Sequence, residues 1–233
     1  GSSFTEPLSV PLEASSTLES STRTFDLDLQ SGETDFGLAR SVSTWGTNGA
    51  YLGPTLRVNK GEEVLINVAN NLAEDTTVHW HGLHAPAEMD GGPHQPIASG
   101  EVWSPGWLVD QRASTNWYHP HLHGESAAQV KMGLVGMFIV DDPAEAELSL
   151  PSTYGVDDIP VIIHDAPDEV SRGNAAQEAI RSVFQRGRPP AVTLVNGGRE
   201  TVFDVTSQVV RLRLLNATID DHLSVSFSDG REF

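Results

Sequence analysis

Apolar and polar residues alternate over short stretches of the first 142 residues, and Gly, Pro and Asn separate these stretches. Phe25, Leu27 and Leu29 alternate with polar residues, which is the period-two signature of a half-buried strand. The turn sequence at 59–62 predicts a hairpin between its two flanking strands. The strands predicted in this way lie at 55–58, 63–68, 76–81, 102–109, 115–119 and 134–140. Many short strands with little helix predict an all-β fold, either a sandwich or a barrel.

A change of composition after Asp141-Asp142-Pro143 divides the chain into two β-rich units. Residues 1–23 are rich in Ser, Thr, Pro and Glu and predict an extended N-terminal arm. We therefore expect a first domain over 24–142, a linker over 143–158 and a second domain over 159–233.

Helices are few in both units. The pattern predicts short helices near 125–132 and at 144–148, and a longer one at 174–186 that Asn174 can cap. The strands predicted in the second domain lie at 159–164, 192–195, 201–205, 209–215 and 223–227. Only two residues follow the turn at 228–231, so we expect the second domain to be incomplete at its C-terminal end.

Composition excludes several classes of partner and chemistry. The chain has 32 acidic against 14 basic side chains and a formal net charge of -18, which disfavours nucleic acid and anionic membrane surfaces as partners. Its longest apolar run, 133–140, is too short for a membrane span. The absence of cysteine excludes disulfides, thiolate catalysis, iron–sulfur clusters and thiolate–copper centres within this chain.

Seven of the nine histidines lie between His79 and His123. They include two His-x-His pairs, His79 with His81 and His119 with His121. Because residues i and i+2 of a strand point to the same side, each pair places two imidazoles on one face. Histidines that only pair with surface acids would not be crowded in this way, so the pairs predict a metal site.

The residues alone leave two metals open. His79, His81 and His84 match the histidine spacing of the metallo-β-lactamase pattern His-x-His-x-Asp-His, a zinc motif. Leu83 stands at its Asp position, however, and the alternating strands and helices of that fold are absent from the pattern. Several imidazoles without a dedicated carboxylate ligand favour copper. A mononuclear zinc-binding or hydrolytic domain stays as an alternative.

The histidine pairs belong to a longer series of motifs. In chain order these are Thr44-Trp45-Gly46, Gly53-Pro54-Thr55-Leu56, His79-Trp80-His81-Gly82-Leu83, Met89-Asp90-Gly91-Gly92-Pro93, Trp117-Tyr118-His119-Pro120-His121 and Gly133-Leu134-Val135-Gly136. Together they resemble domain 1 of the three-domain bacterial multicopper oxidases, which are laccase-like enzymes that include periplasmic cuprous oxidases. Residues 155–161 and 211–217 extend the resemblance into domain 2 of that family.

The resemblance implies cupredoxin-like Greek-key β-sandwich domains, one complete and one truncated. It also implies that His79 is a ligand of a type 2 copper, that His81 and His119 bind one type 3 copper, and that His121 binds the other. These four would form half of a trinuclear cluster that reduces dioxygen to water. Asp90 matches an acidic residue that is expected to deliver protons to the reduced oxygen, and a turn-forming role in Asp-Gly-Gly-Pro is the alternative.

The chain also departs from the family. The type 1 copper of the family needs a Cys, which is absent here, and two further His-x-His pairs are also absent. We therefore expect the chain alone to be inactive and to need a C-terminal segment or second chain that carries domain 3. The reducing substrate would be Cu(I), another metal ion or a phenol, and the compartment periplasmic or extracellular. No signal peptide is visible at Gly1-Ser2-Ser3. Relatives that keep the fold, lose copper and serve as cell-envelope scaffolds are a second alternative, but such relatives lose the ligand histidines.

Overall fold

The computed structural model of the protein describes residues 4–37, 40–167, 192–219 and 221–231, which are mostly strands. The strands are β1 (Glu6–Pro7), β2 (Ser16–Glu19), β3 (Thr22–Thr34), β4 (Val42–Thr47), β5 (Leu56–Asn59), β6 (Glu63–Asn70), β7 (His79–His81), β8 (Val102–Trp103), β9 (Gly106–Leu108), β10 (Ser114–His119), β11 (Gly136–Asp141), β12 (Asp158–Asp165), β13 (Thr193–Val195), β14 (Thr201–Val202) and β15 (Arg211–Asn216). The helices are α1 (Ser126–Met132) and α2 (Pro143–Ala146). Neither helix is long and apolar enough to cross a membrane, and this finding covers the described part of the chain. The helix predicted at 174–186 lies outside the described residues.

Two sheets enclose the first hydrophobic core, and we call this unit the first sandwich. One sheet has the strand order β5-β11-β10-β7, and the other has the order β2-β3-β6-β8, with β4 beside β3 and β9 beside β6. The alternation predicted around Phe25 is present, because β3 buries Phe25, Leu27 and Leu29 and exposes Asp26 and Asp28. The all-β fold predicted from the pattern is therefore confirmed.

Strand β11 accounts for the longest apolar run of the sequence. Phe138 and Val140 lie in the core of the first sandwich. Met137 and Ile139 point to the opposite side and join a second cluster that contains Ile162 of β12. Because both faces of β11 are buried, its sequence is continuously apolar instead of alternating. The opposite side is covered by a third sheet, with the strand order β13-β12-β15.

The hairpin predicted around 59–62 is wrong. A turn is present, since the Glu62 N–H donates a hydrogen bond to the Asn59 carbonyl at 3.1 Å. Its flanking strands nevertheless lie in different sheets, because β5 pairs with β11 and β6 pairs with β3, both in parallel. Two hydrogen bonds of 2.7 Å from Arg23 of β3 hold the Glu62 carboxylate and lower its pKa to about 2. The turn residues specify that the chain reverses, but the choice of pairing partner is made by tertiary contacts.

Several other boundaries also differ from the prediction. The single strand expected at 102–109 is two strands, β8 and β9, separated by Pro105, which has no N–H for a ladder hydrogen bond. The strand expected at 223–227 is wrong, because these residues are not in any strand, and Val225 is 44% exposed. The predicted arm is extended but not isolated, since β2 pairs with β3 and β1 pairs with β14. The helix expected near 125–132 is confirmed as α1.

A buried ion pair lies in the third sheet, where it faces the first sandwich, and its arginine also bonds to a strand of the sandwich. Arg213 of β15 donates to both carboxylate oxygens of Asp158 at 2.6 and 2.8 Å. A third hydrogen bond of 2.8 Å runs from Arg213 to the hydroxyl of Thr115 on β10. The side chains of Arg213 and Asp158 are 2% and 0% exposed. Asp158 also lies 3.9 Å from Arg57 of β5, whereas Arg213 relies on Asp158 as its counter-charge.

We expect Asp158→Asn to reduce the free energy of unfolding by about 3 kcal/mol or more, because it leaves the Arg213 charge buried without a counter-charge. Asp229→Asn is the matched control, since Asp229 pairs with Arg231 at a distance of 3.1 Å and both side chains are more than half exposed. The control should lose less than about 1 kcal/mol. Equilibrium urea unfolding measures both, and equal losses would contradict the assignment of a structural role to the buried pair.

Candidate metal centre

The pairing of β7 with β10 brings three predicted ligands onto one side of a sheet. These strands are antiparallel, with His79 opposite His119, Trp80 opposite Tyr118 and His81 opposite Trp117. Successive side chains of a strand point to opposite faces, and directly paired residues share a face. His79, His81 and His119 therefore lie on the same face, away from Trp80 and Tyr118.

The opposite face of these two strands is anchored in the core of the first sandwich. Trp80 is 0% and Tyr118 is 2% exposed. The ring of Trp80 stacks on that of Trp103, with 6.2 Å between centroids and an interplanar angle of 13°. Tyr118 also donates a hydrogen bond to the Pro54 carbonyl at 2.8 Å. Because these large side chains must face inward, the histidines that alternate with them must face outward.

The three imidazoles form a compact triangle, which we call the imidazole triangle. One ring nitrogen from each of His79, His81 and His119 lies within 4.8 Å of the other two. The ring centroids are 5.4–5.6 Å apart. The triangle contains no carboxylate, and a set of nitrogen donors of this kind fits copper, zinc, iron or nickel.

Main-chain carbonyls orient two of the rings. His79 Nδ1 donates to the carbonyl of Asp90 at 2.8 Å, and His119 Nδ1 donates to the carbonyl of Pro120 at 2.8 Å. Because Nδ1 is the donor in both rings, Nε2 is the nitrogen of each ring that is left for a metal ion, which is the arrangement that metal-binding histidines use. His81 Nδ1 lies 3.1 Å from His119 Nε2 and donates to it, a contact that a metal ion bound at His119 would replace.

Asp90 lies directly beside His79 and also forms a turn. Its Oδ2 is 3.4 Å from His79 Nδ1, and the Asp90 side chain is one-third exposed. Gly91 follows with a φ of +74°, and a Cβ atom at this position would lie 1.7 Å from the Val78 carbonyl oxygen. Glycine is required here because only a residue without a side chain lets the Asp90 carbonyl approach His79.

The fourth predicted ligand, His121, lies next to the imidazole triangle but not in it. Strand β10 ends at His119, so His121 is outside the ladder. Its ring centroid is 5.3 Å from that of His79 and 6.0 Å from that of His119. The His121 N–H donates a hydrogen bond of 2.6 Å to the hydroxyl of Thr77.

The remaining histidines are placed elsewhere. His164 is buried, lies 2.5 Å from the Tyr51 hydroxyl and donates to the Val130 carbonyl at 2.9 Å, which gives it a structural role. Burial lowers the pKa of His164 to about 4. Among the described residues, the following histidines are exposed and outside the triangle: His84, His94, His123 and His222.

The local environment keeps two rings of the triangle uncharged. Burial lowers the pKa of His119 to about 3. Burial also lowers the pKa of His81, and the neighbouring His79 and His121 add to this effect. Because a protonated imidazole cannot bind a metal, these shifts keep both rings available as ligands.

Two contacts of the site carry no clear signal in the sequence. The ring of Trp117 stacks on that of His119 with 4.0 Å between centroids, a specific contact beyond the general packing expected of a neighbouring Trp. Thr77 belongs to none of the motifs, and only its position two residues before His79 points to the site. Contacts such as these depend on which strands pair, which a single sequence does not reveal.

We expect the imidazole of His119 to stay neutral when the pH of the metal-free protein is lowered from 8 to about 5, because the neutral form persists until the pH approaches its lowered pKa of about 3. Nitrogen-detected NMR of the imidazoles measures this, and His119→Gln identifies the signal. A titration midpoint for His119 above pH 5 would contradict the burial of this ring.

Comparison with known families identifies the first half of the chain. A family described as Multicopper oxidase matches residues 29–145, which is 117 of the 233 residues. This stretch contains the imidazole triangle, His121 and Asp90.

Individual relatives agree with this match. Cell division protein FtsP of Glaesserella parasuis is 38% identical over 205 residues, which cover 88% of this chain and 43% of that protein. Multicopper oxidase mco of Staphylococcus aureus is 36% identical over 211 residues, which cover 91% of this chain and 46% of that protein. The chain thus spans less than half the length of these relatives.

The solved structures point to the same fold. The crystal structure of a laccase from Pediococcus acidilactici superimposes with a TM-score of 0.81 at 33% identity, over 91% of this chain and 46% of the laccase chain. The strand-rich architecture therefore has the cupredoxin-like fold of these enzymes. From its sequence match and its fold, the chain belongs to the multicopper oxidase family.

Proposed function

We propose that this chain is the N-terminal part of a copper-dependent oxidase. The oxidase would couple the one-electron oxidation of a reducing substrate, such as Cu(I), another metal ion or a phenol, to the four-electron reduction of dioxygen to water. The observation that carries the proposal is the imidazole triangle of His79, His81 and His119, whose nitrogens lie within 4.8 Å of one another. Membership of the multicopper oxidase family makes copper the expected metal.

Four histidines would supply half of a trinuclear copper cluster. We assign His79 to a type 2 copper, His81 and His119 to one type 3 copper, and His121 to the other. The position of His121 beside the triangle supports a neighbouring ion, since its ring is 5.3 Å from the ring of His79. Copper, when bound, supplies the one-electron redox chemistry that dioxygen reduction needs.

Asp90 is the residue that we assign to proton delivery. Its carboxylate is one-third exposed and its Oδ2 lies 3.4 Å from His79, so it is close to both solvent and the cluster. A carboxylate in this position can take a proton from water at Oδ2 and release it toward the cluster. Its carbonyl also orients His79, so a variant that keeps the main chain, Asp90→Asn, separates the two roles.

The other half of the cluster must come from elsewhere. His81 and His121 are exposed, and the chain has no cysteine for a type 1 copper. We propose that a C-terminal segment or a second chain carries domain 3 and covers this face, and that the chain alone does not turn over. The proposed division is a first cupredoxin domain at 24–142, a linker at 143–158 and an incomplete second domain at 159–233. We propose a periplasmic or extracellular location on the basis of the family.

A copper-free scaffold is the second candidate, because the similarity to a cell division protein is as high as that to an oxidase. The two candidates differ in whether the protein binds copper through the imidazole triangle. A scaffold does not need metal ligands, so it would show no dependence on His79 or His119.

We expect the protein to bind Cu(II) and His119→Gln to weaken this binding by at least about 100-fold, since loss of a ligand costs more than loss of an outer-shell partner. His84→Gln is the control, because His84 is an exposed histidine of the same region that lies outside the triangle, and it should bind copper like the parent. Competition titration against a chelator, with metal analysis of the bound fraction, measures the affinities.

Other outcomes of this titration would support the alternatives. Equal affinities for the parent and His119→Gln would support the scaffold. Preference for one zinc ion per chain over copper would support the mononuclear zinc domain.

A further inference from the structure

The main chain at His121 is not part of the strand ladder that fixes the other three predicted ligands. His79, His81 and His119 belong to β7 and β10, where the ladder fixes their positions. Strand β10 ends at His119, and the next regular element, α1, begins only at Ser126. His121 therefore depends on contacts other than those of the ladder.

The hydroxyl of Thr77 provides such a contact. It accepts a hydrogen bond of 2.6 Å from the His121 N–H, and Thr77 is 0% exposed. The segment that carries this hydroxyl is itself fixed, because Thr76 and Ile97 exchange two main-chain hydrogen bonds of 2.7 and 3.1 Å. The Thr77 hydroxyl is thus a fixed acceptor that bonds directly to the main chain of His121.

From these contacts we propose that Thr77 is a positioning residue for the copper site, which sets the place of His121 relative to the imidazole triangle. The inference rests on the proposed function, since it gives His121 a copper to bind. Two of the other ligands already have a main-chain contact that orients the ring, since the Asp90 carbonyl holds His79 and the Pro120 carbonyl holds His119. His81 is placed by the pairing of β7 with β10.

Loss of the Thr77 hydroxyl would remove the buried acceptor of the His121 N–H, and His121 itself is exposed. Water would then hydrate this N–H in place of the fixed hydroxyl, so the turn after β10 would be free to shift, and the His121 ring would move with the turn. The spacing between His121 and His79, now 5.3 Å between ring centroids, would no longer be fixed. The copper ions would keep the ligands of the triangle but lose a preorganised fourth imidazole.

The decisive variant is Thr77→Val, which replaces the hydroxyl by a methyl group of similar shape. Thr76→Val is its matched control, because Thr76 is also 0% exposed and its hydroxyl bonds to Gln129 at 2.7 Å and to the Thr77 carbonyl at 3.3 Å, but not to the segment that carries His121. Thr77→Ser is the rescue variant, because it retains the hydroxyl. Thermal unfolding of the three metal-free variants checks that each is folded.

We expect Thr77→Val to bind Cu(II) about tenfold or more weakly than the parent, which is the usual cost of losing an outer-shell partner of a metal ligand. Its electron paramagnetic resonance spectrum should also change in the nitrogen hyperfine pattern, a signature that a loss of stability alone would not alter. Thr76→Val should keep the affinity and spectrum of the parent, and Thr77→Ser should restore both. If Thr77→Val does not fold, Thr77→Ala and Thr77→Ser make the same comparison.

The outcomes separate this inference from the proposed function. An affinity and a spectrum of Thr77→Val equal to those of Thr76→Val would overturn the role of Thr77, while copper binding that still depends on His119 would leave the proposed function standing. Copper binding that does not depend on His79 or His119 would overturn the proposed function and the role of Thr77 with it.

Discussion

The inward packing of Trp80 and Tyr118 is the constraint on which the candidate metal centre depends. These two residues pair across β7 and β10 and are almost completely buried. Because successive side chains of a strand point to opposite faces, the three histidines of the triangle must lie on the face opposite to Trp80 and Tyr118. The apolar core of the first sandwich and the polar site are two faces of the same pair of strands, so the stability of the core and the geometry of the site are not independent.

The electrostatics of the site have a long-range part, from the net charge of the chain, and a local part, from the burial of the imidazoles. The chain as a whole has a formal net charge of -18, which attracts metal cations from a distance. Within the imidazole triangle, by contrast, burial lowers the pKa of His81 and His119 and favours their neutral forms. A cation drawn to the acidic surface thus finds two nitrogen donors that do not have to lose a proton before they bind it. This combination favours a soft or borderline metal ion over the calcium and magnesium ions that oxygen donors select.

The features of the fold that could be predicted from the sequence are those that follow from short-range periodicity, such as the alternation of apolar and polar residues along a strand. The alternation around Phe25 predicted β3, and the His-x-His spacing predicted that His79 and His81 share a face, whereas His121 lies beyond the end of β10. The turn at 59–62 shows the limit, because its residues predicted a hairpin whereas β5 and β6 lie in different sheets. The contact between Thr77 and His121 joins residues 44 positions apart and depends on how β7 sits beside β10. Such contacts follow from pairing and packing, which local periodicity does not encode.

Anomalous X-ray diffraction from copper-soaked crystals of the protein, collected on both sides of the copper absorption edge, would show whether the imidazole triangle binds copper. We expect anomalous copper peaks beside the nitrogens of His79, His81 and His119, with the ring of Trp117 still stacked on His119. Copper bound instead at the exposed histidines, such as His84, His94 or His123, with no peak at the triangle, would contradict it.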